Sequence, residues 1–570
     1  ENGIYGGSSV YGTGNPVALL KDYGHIRNVY GTLLADLSIR QDLSALTKGL
    51  AAEASVSFDN IGGMNETTNK EYRYMNSNAS ITSDGTLVTT PAIYGTDSET
   101  LGHTQPFERL MLRSDFQAKV DYNRTFGKHQ VGGALIYDMQ SVVKNGRNNS
   151  QKNQSVLVNA TYTYDNRYSL NAVFNRSGSA YLPDGDKYSN YPAVSAAWIV
   201  SNEAFMEKVT PINLFKIRAS YGLSGWDGNL SHELWRQSYG SGGAGYNFGV
   251  NAGGQSGGSE GDLPVIGLVA EKSQKATFGF DLAAFDNRLN ATVEGFYEKR
   301  SDILVSGANS TSGIIGITVG QVNEGIYKYK GVDASLSWND KIGDFHYGIG
   351  ASMSYLNTEV VNVNQAYQEY DYLYTKGNRI GQMYGLEAIG FFNSQQEINN
   401  SPQQTFSDVA PGDVKYKDQN GDNRIDEKDV VKMFGSSVPR FYFGFNLNFS
   451  YKRLELSADF QGMTGVTVSL LNSPLYSPLV SNGNISNTFL NEEISWTPEN
   501  KTNATMPRLT TQENLNNYRA NSLWYRDGSF LKLRNLEVYY KFPKALLQKT
   551  KILGSAKLYV RGVDLLCFDK

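Results

Sequence analysis

The sequence predicts an all-β chain, a large antiparallel transmembrane β-barrel, and three observations carry that prediction. Residues 438 to 461 hold two long alternating strands with almost no turn between them. Similar hairpins recur along the chain, with short turns at one end and very long polar loops at the other. No stretch approaches the roughly 18 consecutive apolar residues of a spanning helix, so any membrane crossing falls to strands.

The strands follow in chain order. Phe116, Ala118, Val120 and Tyr122 turn near Gly127-Lys128 into Val131, Gly133, Leu135 and Tyr137. Val156, Val158, Ala160, Tyr162 and Tyr164 turn at Asp165-Asn166-Arg167 and resume as Tyr168, Leu170, Ala172 and Phe174. Phe278, Phe280 and Leu282 lead through Asp286-Asn287 to Leu289, Ala291, Val293 and Tyr297. Val332 to Trp338 turn through 339–343 into Phe345, Tyr347, Ile349, Ala351, Met353 and Tyr355. In the last hairpin Phe441, Phe443, Phe445, Leu447, Phe449 and Tyr451 share one parity, with Tyr442, Gly444, Asn446, Asn448, Ser450 and Lys452 on the other. After Lys452-Arg453 the alternation restarts with Leu454, Leu456, Ala458 and Phe460. A period of two gives each strand one apolar and one polar face. About 16–18 such strands, each near the 9–11 residues a tilted spanning strand needs, imply a wide barrel. A soluble propeller or stacked sandwich is the alternative, and no fixed repeat period supports it.

Residues 225–273, 301–326, 358–437 and 467–529 are long, weakly periodic and rich in Gly, Asn, Ser and Tyr. Loops of that length are uncommon in compact soluble domains and are the outward loops of membrane barrels. All of 1–570 therefore reads as part of one barrel domain, with an acidic loop at 406–437 inside it. The 37 tyrosines against six tryptophans suit an interfacial girdle or a sugar- or peptide-binding surface. A net charge of -4 gives no reason to invoke nucleic acid. The single cysteine, Cys567, excludes an intramolecular disulfide and a cysteine zinc cluster. Its apolar neighbours, Val563 to Phe568, predict a buried and inert thiol. Glu1-Asn2-Gly3 lacks a signal peptide's basic start and apolar core, which predicts a mature or truncated chain.

The metal candidate is Asp418 to Asp429, DQNGDNRIDEKD. Asp418, Asn420 and Asp422 take positions 1, 3 and 5 of an EF-hand-like loop. Arg424 offers its carbonyl at 7, Asp426 stands at 9 and Asp429 closes at 12. Asn423 replaces the usual glycine at 6, where Asn tolerates a left-handed backbone better than most residues. Both a structural calcium ion and a solvated turn capped by Asx bonds satisfy the pattern. The five histidines are scattered without metal-ligand spacing. Gly254-Gln255-Ser256-Gly257-Gly258 fits G-x-S-x-G formally, but without the strand-turn-helix setting of a nucleophile elbow. Ligand contact points instead to loop aromatics. Trp226, Trp235, Tyr239, Tyr246 and Phe248 flank the glycine-rich run 240–261, and Tyr367, Tyr370, Tyr372 and Tyr374 cluster in another loop. Their rings suit sugar or peptide stacking, and equally the packing of loops on one another.

Several segments resemble the SusC/RagA family of TonB-dependent outer-membrane transporters. YPAVSAAWIVSNEAFMEKVTPINLFKIRASYG, from Tyr191, is similar to the family's FPSVSAGWR…LKLRASYG stretch. Glu271 to Leu304 resembles a family hairpin, and GDVKYKDQNGDNRIDEKD, Gly412 to Asp429, resembles its acidic loop. Phe460-Gln461-Gly462 and Phe530 to Asn535 match further landmarks, and weaker similarity runs from Asn15 to Leu566.

The resemblance implies a 22-stranded barrel in the outer membrane of a Gram-negative, Bacteroidota-type bacterium. It also implies a SusD-like surface lipoprotein and TonB as partners, and import of a bulky oligosaccharide or peptide without covalent chemistry. Nothing here resembles the family's plug, TonB-contacting segment or last strands, so the expectation is an incomplete transporter chain. A structural scaffold barrel in an outer-membrane assembly or secretion complex is the rival reading.

Overall fold

A computed structural model describes residues 4–7, 14–144, 150–247, 254–307, 314, 316–317, 319–471, 494–510 and 512–569. The chain divides into two compact units. The first comprises 1–121, 135–156 and 177–180, the second 122–134, 157–176 and 181–570.

In the first unit Gly24–Asp42 pairs antiparallel with Leu50–Asn69, residue for residue from Gly24 opposite Asn69 to Asp42 opposite Ala51. Arg40 fastens this hairpin with a bond to Glu53 and a fork onto Asp121, each at 2.9–3.0 Å. Beyond it Tyr74–Ile81 pairs with Leu87–Tyr94 and, in parallel, with Tyr5–Gly6.

The second unit is built on a meander of long antiparallel strands. In order they are Tyr188–Ile199, Ile212–Trp226, Glu271–Ala284, Leu289–Ser306, Gln321–Ile342, Phe345–Asn362, Phe441–Tyr451, Leu454–Thr464, Phe530–Lys541 and Lys557–Asp569. Each pairs with the next. The last three hairpins read from the sequence sit in this order, and the two earlier ones are the strands Phe107–Phe126 with His129–Lys144 and Ser150–Tyr164 with Tyr168–Ser179. Their tight turns include Asp286-Asn287, whose positive φ values (58° and 63°) Asp and Asn accept.

Register converts the alternation into two faces. Phe215, Leu282, Ala291, Leu336, Ala351, Phe445, Phe460, Leu533 and Leu566 stand opposite one another across successive strands, forming a continuous apolar row. One residue away run Lys216, Asp281, Thr292, Ser335, Ser352, Gly444, Gln461, Lys532 and Cys567. Phe445 and Phe460 stack at 4.3 Å on the apolar face. Such a sheet keeps lipid on one side and water on the other. No helix among the described residues is long and apolar enough to cross a membrane.

One expectation fails here. Cys567 is exposed, because register places it opposite Lys532 on the polar row. Its strand, Lys557–Asp569, is also paired on one side only among the described residues. The apolar neighbours that suggested burial include Leu566 and Phe568, which flank it on the opposite face.

The long loops hold more structure than their weak periodicity suggested. Tyr239–Asn247 pairs with Gly254–Glu260, so Gly254 to Gly258 lies in a strand, still without a helix after it. Short ladders join 382–385 to 431–436, 388–391 to 414–416, 403–404 to 424–425 and 467–469 to 525–527.

Candidate functional site

Two places in the second unit gather the chemistry: the loop end of the polar face, and the loop assembly that carries the acidic turn. On the polar face, Asp281 receives Lys216 at 3.6 Å, Arg218 at 3.4 Å and the Thr292 hydroxyl at 3.1 Å. Arg218 also pairs with Glu294. Towards the loops, Arg300 pairs with the buried Glu271 and lies 5.9 Å from each of the Trp226 and Tyr329 ring centres. The Lys275 ammonium lies 5.3 Å from the Phe296 ring centre. Trp226 shares the parity of Ser220, opposite Thr277, and its half-exposed indole is therefore displayed on the polar side. Rings and fixed cations together suit polyhydroxylated or peptide ligands, which offer stacking faces and carbonyl acceptors.

Sequence reasoning missed Phe296, Arg300, Tyr327 and Tyr329 at this place. The available signal was parity: Tyr327 and Tyr329 alternate in phase with Asp333, and Phe296 with Glu294, so these aromatics lie on the polar face.

The other predicted aromatics separate. Trp235 packs against a buried cluster of Leu182, Leu230, Val265, Leu268 and Ala270, with the Arg236 guanidinium 4.4 Å from its ring centre. Tyr239 stands 76 % exposed at the start of the loop hairpin. Tyr246 lies in that hairpin opposite Gln255, and its side chain, like Phe248, lies outside the described residues. Tyr370 and Tyr372 stack at 5.3 Å. The Tyr372 hydroxyl donates to the Lys428 carbonyl at 2.7 Å, and Lys428 pairs with Glu369 at 2.8 Å. Thus Tyr372 is joined to the acidic turn, a contact that no local pattern in either segment signals. Burial pushes its phenol up, helped by the nearby Asp429.

Within that turn the carboxylate of every candidate ligand already serves the backbone. Asp418 accepts from the amides of Gly421 and Asn423 at 2.7 and 2.8 Å, and Asp422 from Arg424 at 2.9 Å. Asn420 accepts from Asp422 at 3.0 Å. Asp426 caps Glu427–Asp429 through the Lys428 amide. Asp429 is fully buried and joins both ends of the turn, accepting from Gln419 and Asp426 at 2.8 Å each. Asn423 adopts φ +62°, the left-handed backbone expected at that position. Among the described residues no group of three or more His, Cys, Asp or Glu side chains is placed to hold a metal.

The turn rests on a folded loop assembly. Leu386, Val414, Tyr416 and Ile425 form one small core, Met506 and Trp524 another. Between them Asp413, fully buried, accepts from Arg508, Asn514, Asn517 and the Ala410 amide at 2.7–3.2 Å. Arg519 ties the acidic turn in, pairing with Glu427 at 2.6 Å while lying 3.2 Å from the Phe406 ring centre.

A two-faced sheet of spanning length, carrying structured loops, defines an outer-membrane β-barrel protein. No family model matches the sequence. TonB-dependent receptor P3 of Formosa agariphila is 27% identical over 502 residues, covering 78% of this chain and 47% of that protein. TonB-dependent receptor P26 of the same organism is 28% identical over 421 residues, covering 72% and 41%. TonB-dependent receptor SusC of Bacteroides thetaiotaomicron is 20% identical over 404 residues, covering 67% and 37%. Among solved structures, the RagAB peptide transporter matches with a TM-score of 0.69 at 17% identity, over 95% of this chain and 59% of that one. The chain is similar to TonB-dependent receptors, SusC among them, shares the fold of the RagAB transporter's barrel, and is an outer-membrane protein. It spans about half the length of the curated relatives it matches.

Proposed function

We propose that the protein containing this chain imports a bulky nutrient, an oligosaccharide or a peptide, across the outer membrane. A SusD-like surface lipoprotein delivers the ligand, and energy arrives through TonB. The observation that carries this reading is the similarity to TonB-dependent receptors over more than two thirds of the chain. The polar row, with Trp226, Arg300 and Tyr329 at its loop end, supports it. The relatives are receptors and a transporter, and the barrel wall acts by binding and guiding its ligand without covalent change.

Mass spectrometry of the complex purified gently from outer membranes tests the proposal. A SusD-like lipoprotein is the expected companion. A chain held instead among assembly or secretion factors overturns import and favours the scaffold reading.

We also propose that Asp418, Asn420, Asp422, the Arg424 carbonyl, Asp426 and Asp429 take a structural calcium ion. The spacing of oxygen donors and the left-handed backbone at Asn423 support it. Binding requires carboxylates to exchange backbone amides for the ion. Calcium is expected to slow hydrogen exchange across 418–429, and Asp418→Ala to abolish that response. Equal exchange with calcium and with chelator refutes the site.

A further inference from the structure

Between Lys541 and Lys557 the chain runs KFPKALLQKTKILGSAK, five lysines with no acidic residue. Other short turns balance their charges: Lys128 pairs with Asp165 at 2.9 Å and Arg288 with Asp340 at 3.2 Å. In this turn Glu455 takes Lys541. Lys544, Lys549 and Lys551 are exposed and form no ion pair among the described residues.

The turn also leaves its apolar side chains outside. Its short helix, Lys544–Gln548, buries Leu547, whereas Leu546 and Leu553 are half exposed and Ile552 is 89 % exposed. The Lys541 amide donates to the Arg453 carbonyl at 2.9 Å, so the Lys452-Arg453 hairpin tip stands alongside. The Lys452 ammonium lies 5.2 Å from the Tyr451 ring centre. Tyr451, Leu454, Tyr540 and Leu558 stand opposite one another across the four strand ends, all exposed, on the parity of the apolar face.

Apolar side chains held in water cost free energy, and unpaired cations beside them exclude a purely apolar cover. Both demands are met at a membrane interface. There aromatic rings sit at headgroup level and lysines reach outward to phosphates.

We propose that this lysine turn and the Lys452-Arg453 tip form a docking site for anionic phospholipid. The ammonium groups hold headgroup phosphates, while Leu546, Ile552 and Leu553 enter the acyl region. Continuity with the lipid-facing row argues for lipid over a protein partner. The proposal rests on that row's assignment and is independent of what the protein transports.

The test uses the protein purified in mild detergent, mixed separately with phosphatidylglycerol and phosphatidylcholine, with retained lipid read by native mass spectrometry. Wild type is expected to retain phosphatidylglycerol preferentially. A K544Q/K549Q/K551Q variant is expected to lose at least about fivefold of that retention. L546S/I552S should weaken retention of both lipids, because it removes the anchors and keeps the charge. Equal retention of the two lipids by wild type, or undiminished phosphatidylglycerol on the triple variant, overturns the proposal. A periplasmic protein lost from the triple variant without any lipid preference in wild type overturns it too, in favour of a protein dock.

Discussion

Asp413 shows how single residues hold the loops. Its two oxygens serve five donors, from Arg508, Asn514, Asn517 and Ala410, at full burial. Removing one partner of a buried pair leaves the other charge without compensation. Asp413→Ala is therefore expected to destabilise the assembly by about 3 kcal/mol, near the low end of that class because Arg508 keeps some water contact. Faster hydrogen exchange across 494–528 would report it. Gly412 beside it has φ +94°, and an added Cβ would lie 2.4 Å from the Trp496 ring. Gly412→Ala should cost about 2 kcal/mol or more, read in the same experiment.

Buried phenols set a pH limit for this assembly. Burial raises both Tyr416 and Tyr518 above the ordinary 10, Tyr518 up to about 12. The folded state holds these protons more tightly than the unfolded one, so their contribution is complete below pH 10. It is lost as pH climbs through 12. Fluorescence of Trp524, stacked 5.5 Å from Tyr518, should stay constant to about pH 10 and then change. Sequence reading found none of this lock, since Asp413 and Arg508 are 95 positions apart and each is unremarkable alone.

At the scale of strands, parity decides what a substitution does. Phe445→Arg places a charge on the apolar row, at a cost of about 2–4 kcal/mol if that face meets the bilayer centre. Asn446→Arg, one residue away on the polar face, should fold almost normally. Heat-modifiable gel migration after refolding into vesicles distinguishes them, and equal behaviour would contradict the two-faced assignment. This level was legible, because alternation is a local consequence of pleated backbone and needs no distant contact. Register was less so: the apolar neighbours of Cys567 gave no warning that its own side chain joins the polar row. The loops were least legible, because short ladders such as 403–404 with 424–425 are specified by burial around Tyr416 and Ile425 more than by period.

For the molecule as a whole, ligand recognition should depend on the loop end of the polar face. Trp226→Ala and Tyr329→Ala are each expected to lower uptake of the native nutrient severalfold while leaving barrel folding unchanged. Aromatic stacking is worth about 1 kcal/mol or more per ring, which is the basis of that magnitude. Uptake by cells carrying each variant, with surface abundance measured in parallel, is the check. Trp235→Ala belongs to a different class. It opens the Leu182–Leu268 cluster and should reduce abundance before it touches affinity.

The sequence alone determined an all-β membrane sheet, the hairpin order, the aromatic loops and the acidic turn. Each is written in short-range patterns: a period of two, turn chemistry, and oxygen donors at fixed spacing. Tertiary structure decided which of those features meet. It brought Tyr372 onto Lys428 of the acidic turn, put Trp235 into packing, and set Trp226 beside Arg300 and Tyr329. Those outcomes depend on strand register and loop burial, which are satisfied only when segments far apart in the chain close on one another.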